Sequence, residues 1–231
     1  MRARSLALAV VSLAGLTAAF ALPVVSTPAP ATAGTCEHPE SATCHPESAT
    51  CQPESATHPP ESATYRVDPG HSVVLFRTRH LGLSYFHGRF DEVGGEVVYD
   101  AEHPERSSVT ITVRADSVDT NSDDRDAHLR SPDFFSAKEF PKITFESSAV
   151  ESTKDGLEVT GALSFHGVTK TITIAVDRVG EGSSPFGDYR MGFETVFEID
   201  PRDYGVRYMQ DPKMLGPGVR LTVALECIRE P

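Results

Sequence analysis

Six soft or borderline donors stand close together early in this chain: Cys36, His38, Cys44, His45, Cys51 and His58. Thiols and imidazoles of this kind ligate zinc or copper and could serve a metal- or haem-linked redox centre. Their spacing argues otherwise. Structural zinc sites use close C-x2–4-C pairs, whereas these cysteines stand seven or eight residues apart. In an oxidising compartment the three thiols would instead pair with each other or between chains. The chain also carries no G-x-S-x-G, no H-E-x-x-H and no glycine-rich phosphate loop, so the common nucleophile, metalloprotease and nucleotide motifs are missing.

Those donors sit in a repeat, Cys-Glu-His-Pro-Glu-Ser-Ala-Thr at 36–43 followed by three seven-residue versions ending at Thr64. The unit has no large apolar residue and carries proline in every copy, which rules out a coiled coil and a regular helix. Residues 34–64 therefore read as a disordered or extended linker. Ahead of it, Arg2 and Arg4 precede an apolar run from Leu6 to Leu22 and a Pro-rich tail ending in Ala31-Thr32-Ala33. This reads as a secretory signal over 1–33, and implies a periplasmic or secreted protein. A cut after Ala21 and an uncleaved anchor are the alternatives. A lipid anchor on Cys36 is not supported, since Ala33-Gly34-Thr35 lacks the apolar residue such a signal places there.

The formal charge of −12 becomes −14 once Arg2 and Arg4 are removed. No basic run follows, so nucleic acid is excluded as a partner and anionic membrane surfaces are disfavoured.

From Tyr65 onward the pattern has period two. In 108–115, Val109, Ile111 and Val113 alternate with Thr110, Thr112 and Arg114, giving one apolar face and one wet face. The same alternation appears in Leu157, Val159, Leu163 and Phe165; in Ile172, Ile174 and Val176; in Met191, Phe193, Phe197 and Ile199; and in Leu221, Val223 and Leu225, whose parity also buries Cys227. Further strands are expected near 72–79, 83–90, 94–100 and 142–150. Residues 119–131, with acidic residues first, Arg130 last and Pro132 after, predict a short helix. The fold expected is all-β, an antiparallel barrel or sandwich of about eight strands with one short helix, and an eight-stranded barrel has room for one small ligand. Phe134, Phe135 and Phe140, in the loop that follows, either cover a barrel end or line a portal.

Several motifs then fall in order: Val67-Asp-Pro-Gly-His-Ser72, His80-Leu-Gly-Leu-Ser84 with Gly88-Arg-Phe90, Arg125-Asp-Ala-His-Leu-Arg-Ser131, Phe140-Pro-Lys-Ile-Thr-Phe145, Gly161 to Lys170, and Arg202-Asp-Tyr-Gly205. Together, across 65–231, they resemble the YceI family of lipid- or polyisoprenoid-binding proteins. The repeat lies outside the family pattern, and Tyr65 stands where many relatives have tryptophan. The resemblance implies a lipocalin-like barrel, export, and a long apolar cavity for an isoprenoid such as a polyprenyl phosphate or a quinone.

Such a cavity would be lined by Phe134, Phe135, Phe145, Phe165, Phe193 and Phe197, with polar contacts from His71, Arg125, Asp126 and His128. Arg125 suits a phosphate, because its planar fork makes paired charge-assisted bonds. A quinone needs a neutral donor such as His128 or Tyr189. The structural alternative has Asp68 and His71 fixing a turn, Arg125 pairing with Asp126, and His80 and His166 satisfying backbone groups. The reading is a binding protein that performs no catalysis and needs no cofactor. Its alternative is a redox protein using the linker donors or the barrel histidines. The oligomeric state stays open, with a homodimer among the arrangements allowed.

Overall fold

The computed structural model describes residues 62–208, 211 and 213–231; the signal segment and the Cys/His repeat up to Glu61 lie outside the described residues. Eleven strands and one α-helix follow in order: β1 (Ala63–Val67), β2 (Val73–His80), β3 (Ser84–Phe90), β4 (Val93–Tyr99), β5 (Ser108–Arg114), β6 (Val118–Asp119), α1 (Asp123–Arg130), β7 (Lys142–Thr153), β8 (Gly156–Phe165), β9 (Val168–Ser183), β10 (Tyr189–Ile199) and β11 (Leu215–Arg229). Strand β1 starts inside the segment read as linker: Ala63 and Thr64 pair with Tyr99 and Val98 and belong to the barrel.

The sheet is wholly antiparallel, and β1 pairs with both β4 and β11, which closes it. Three pairs of strands are single ribbons interrupted once. β1 and β2 are broken by the turn at 68–72, β3 and β4 by Asp91 and Glu92, and β5 and β6 by a helical turn at Ala115–Ser117. Counted as ribbons, the barrel has eight strands in sequential up-and-down order. Closure pairs backbone groups that an open edge would leave unsatisfied.

Alternation explains which way each ribbon faces. Ile111, Val113, Val159, Leu163, Phe165, Met191, Phe193, Leu225 and Cys227 are buried, as their parity requires. Burial pushes the Cys227 thiol up to about 12, so it is an inert core group. One end is packed by Tyr65, Val67, Val93, Met191 and Cys227, part of a larger core that continues through Phe76, Phe90 and Phe193. The other end is capped by a second cluster in which Leu163 and Phe165 meet Tyr204 and Val206. Tyr204 comes from the helical turn Pro201–Tyr204.

Helix α1 crosses the Tyr204 end. Its first turn carries Asp123, Asp124 and Asp126 and its last turn His128 and Arg130, matching the helix dipole at both ends. Arg130 fixes the helix to the wall, donating to the carbonyls of Asp116 and Val118 at 2.8 Å each.

At the opposite end, Arg190 ties three separate stretches together. It donates to Asp188 through Nε and Nη2 (2.9 and 2.8 Å) and to Asp68 (2.8 Å) and Glu226 (2.5 Å) through Nη1. His71 completes the group, with Nδ1 2.8 Å from the same Asp68 oxygen. Bonds from Arg190 and Ser184 hold the Asp188 carboxyl down at about 2, against an ordinary value of 3.8. A carboxyl depressed in the folded state stabilises above its unfolded pKa and loses that contribution as pH falls through the folded value. Wild-type stability should therefore fall as pH drops from about 4 to about 2. Urea midpoints should show a smaller fall across that window in Asp188→Asn; an unchanged slope would remove Asp188 from the account.

Candidate functional site

The eight ribbons do not fill their interior. They enclose a cavity of about 550 Å³ whose wall is overwhelmingly apolar, within the size range of small-molecule sites. On β8 alone the wall runs from Leu157 to Phe165, about 26 Å of strand at roughly 3.3 Å per residue. Two inward threonines add little polarity. Thr195 Oγ1 donates to the Ala175 carbonyl at 2.6 Å and Thr78 Oγ1 to that of Gly218 at 3.3 Å.

Eight of the ten residues expected to contact a ligand line this cavity: Phe134, Phe135, Phe145, Phe165, Phe193, Phe197, Arg125 and His128. The loop phenylalanines are neither bare nor equivalent. Phe135 plugs the α1 end, its ring 5.4 Å from Phe90 and 5.9 Å from Phe165. Phe134 belongs to the rim, where its ring, His128 and Tyr208 stack about one another at 4.9 to 5.2 Å. Phe140 packs outside the wall on His166, ring centroids 5.4 Å apart.

The other two expected contacts lie elsewhere. His71 is at the opposite end of the barrel, exposed, in the Arg190 network. Asp126 is buried at the foot of α1, where its carboxylate accepts from Thr120 Oγ1. The expected Arg125–Asp126 pair does not form. Arg125 Nε instead donates to that same Thr120 oxygen at 2.8 Å and Nη2 to the Thr120 carbonyl at 2.5 Å, with the guanidinium 4.6 Å above the Phe86 ring. Successive residues on a helix point about 100° apart, so they meet through a shared neighbour and not each other. Tyr189, considered as a quinone donor, packs against the closed-end core and is not in the cavity wall.

Of the histidines read as backbone partners, His166 behaves so, with Nδ1 3.1 Å from the Tyr204 carbonyl. His80 lines the cavity at its rim. His128 faces Asp133, with Nε2 3.0 Å from Oδ2. The barrel histidines do not form one ligand set: among the described residues, Asp68, His71 and Glu226 are the group of three whose donor atoms lie within 4.8 Å of one another. Arg190 already bonds both of those carboxylates. The linker donors Cys36, His38, Cys44, His45, Cys51 and His58 lie outside the described residues.

The electrostatics of the rim follow from these contacts. Arg202 is held by both oxygens of Asp200, with Nε at 2.8 and 3.0 Å. Arg125 turns its Nε–Nη2 edge to Thr120 and His128 Nε2 faces Asp133, so each of these groups already has a partner. The side chains of His80 and Tyr208 have no hydrogen-bond partner among the described residues and offer polar atoms there. Both were absent from the expected contacts, Tyr208 because it lies in an irregular crossing between β10 and β11 that has no period to read.

Residues 65–227 match the YceI-like domain family. A UPF0312 protein of Pseudomonas aeruginosa is 38% identical over 171 residues, spanning 72% of this chain and 87% of that protein. Protein YceI of Escherichia coli is 36% identical over the same span. Among solved structures, Burkholderia cenocepacia BcnA superposes with a TM-score of 0.64 at 23% identity, covering 69% of this chain and 98% of that one. A polyisoprenoid binding domain from Saccharophagus degradans, implicated in plant cell wall breakdown, superposes at 0.55 with 17% identity, covering 73% and 99%.

Proposed function

The chain belongs to the YceI-like family, and on that premise we propose that it is an extracytoplasmic carrier of an apolar isoprenoid with an uncharged polar head, which it holds without transforming. The observation that carries this reading is the cavity: about 550 Å³ with an apolar wall along most of the barrel. An apolar chain gains about 0.8 kcal/mol per buried CH₂. The polyisoprenoid binding named for the Saccharophagus degradans domain is in keeping with that occupant.

The uncharged head follows from the rim. A phosphate or pyrophosphate needs an open cationic fork; Arg202 is paired with the Asp200 carboxylate, and the Nε–Nη2 edge of Arg125 is turned to Thr120. A quinone carbonyl or an alcohol needs one hydrogen-bonding group, and the unpartnered side chains of Tyr208 and His80 on the cavity wall offer one. The signal-like pattern of residues 1–33 supports the compartment. No catalytic group is required, because burial alone drives retention.

Competition against an environment-sensitive apolar dye tests the head-group claim. An isoprenoid quinone should displace the dye at concentrations at least ten-fold below a polyprenyl phosphate of equal chain length. The reverse order would reinstate Arg125 as a phosphate ligand.

A further inference from the structure

The β2–β3 hairpin ends in a tip that is unusual both in composition and in backbone. Leu81 and Gly82 stand at φ +54° and +69°, and Leu83 donates its N–H to the His80 carbonyl at 3.0 Å. This is a turn with two left-handed central residues, which asparagine followed by glycine suits. Leucine at the first position costs roughly 1–2 kcal/mol in backbone energy. The turn also leaves its side chains in water: Leu83 is 85% exposed and Leu81 43%. Strain and exposure at one residue are both costs that a tip serving only as a connection would shed.

The tip borders the cavity. His80, beside Leu81, and Leu215, paired with it across the strands, both line the wall. The Leu81 N–H donates to the Met214 carbonyl at 2.8 Å, joining the tip to the crossing that carries Arg207, Tyr208 and Lys213. Charge gathers here too. Arg77 and Arg79 flank the exposed Tyr85 ring at 4.4 and 5.9 Å. Arg77, Arg79, Arg207 and Lys213 have no ion-pair partner among the described residues. The carboxylates near this patch are Asp211, which receives the Lys213 N–H, and Glu198 on β10, opposite Arg220.

We propose that this tip is a membrane-docking element: Leu81 and Leu83 insert at the surface of an anionic bilayer while Arg77 and Arg79 meet its headgroups, placing the cavity rim against the lipid. The chain is strongly acidic overall, but at physiological salt charges beyond about 8 Å are largely screened, so the local patch sets the interaction. Its cations come from β2 and from the β10–β11 crossing, which is why no basic run marks it in the sequence. The inference rests on the carrier reading, since docking gives an apolar chain a path that avoids water.

The chain contains no tryptophan, so one introduced indole reports without background. In the full chain, Leu83→Trp should show blue-shifted emission, quenched by brominated lipid, on vesicles containing phosphatidylglycerol but not on phosphatidylcholine alone. Phe186→Trp, 84% exposed on the β9–β10 turn at the other end, should remain in water. Adding Arg77→Gln and Arg79→Gln to Leu83→Trp should raise the lipid concentration for half-maximal shift by about thirty-fold, as expected for two cations at an anionic leaflet. Leu81→Asn should keep the thermal midpoint at or above wild type and weaken docking at least ten-fold. An unshifted Leu83→Trp, or an equal shift from Phe186→Trp, would overturn the proposal. The readout needs no bound isoprenoid: a wet tip on a barrel that still retains a chain defeats docking alone, and a docked tip on a barrel that retains none defeats the carrier reading.

Discussion

Replacing Ile174 and Val223 together with phenylalanine should leave a folded barrel that retains an isoprenoid at least a hundred-fold more weakly. Both residues point inward from mid-strand, on β9 and β11, and both line the cavity. They are only partly buried although the barrel surrounds them, because the surface they expose faces the interior space. Phenylalanine at these positions occupies that space. Expelling four methylenes of a bound chain at about 0.8 kcal/mol each costs about 3 kcal/mol, which is the hundred-fold. The fold should not suffer in proportion, since filling a cavity restores contacts. Isothermal titration and a thermal melt on the same preparation check both halves. Undiminished binding with a normal melt would mean that the chain does not pass the middle of the barrel.

The largest effect on stability is expected from Gly95→Ala. Gly95 has φ +147° inside β4, a conformation essentially reserved for glycine. A Cβ there would stand 2.0 Å from the Thr110 carbonyl oxygen and 2.9 Å from the Ile111 Cα on β5. These are backbone atoms, so relief requires parting β4 from β5 within the closed ring. Strain and overpacking together should cost about 3 kcal/mol or more, or prevent folding. Its neighbour gives the control. Gly94 has open space where its Cβ would be, and Gly94→Ala should stay within about 0.5 kcal/mol of wild type. Urea midpoints of the two variants separate them, and similar values would contradict the described approach of β4 to β5.

The barrel was legible in the sequence because its evidence is local. A run such as Val109, Ile111 and Val113 declares its inner face without reference to any partner, and nearly every such face is inward in the structure. Parity likewise placed Cys227 in the core. Of the nine phenylalanines on the cavity wall, Phe145, Phe165, Phe193 and Phe197 stand on strands and were readable for the same reason, whereas Phe134 and Phe135 sit in the loop after α1, where no alternation marks them. What could not be read depends on register and on which end of the barrel a turn reaches. His71 and Arg125 belong to motifs of equal prominence, yet one lies at the Arg190 end and the other at the rim. The Arg190 network joins positions 68, 188 and 226, and only the pairing of β10 with β11 and the return of the β1–β2 turn bring them together. Tyr208 and the cations of the docking tip were invisible on the same grounds. The conclusion that anionic membranes are disfavoured followed from net charge, which carries no information about where the charges lie.

The central claim is that this barrel holds an apolar chain in solution, and native mass spectrometry tests it most directly. Protein purified without detergent from cells that make it should carry an added mass that organic extraction removes and that identifies as an isoprenoid with an uncharged head. A barrel that comes through the same preparation as bare polypeptide, and stays bare after incubation with isoprenoid quinone vesicles, would contradict the account.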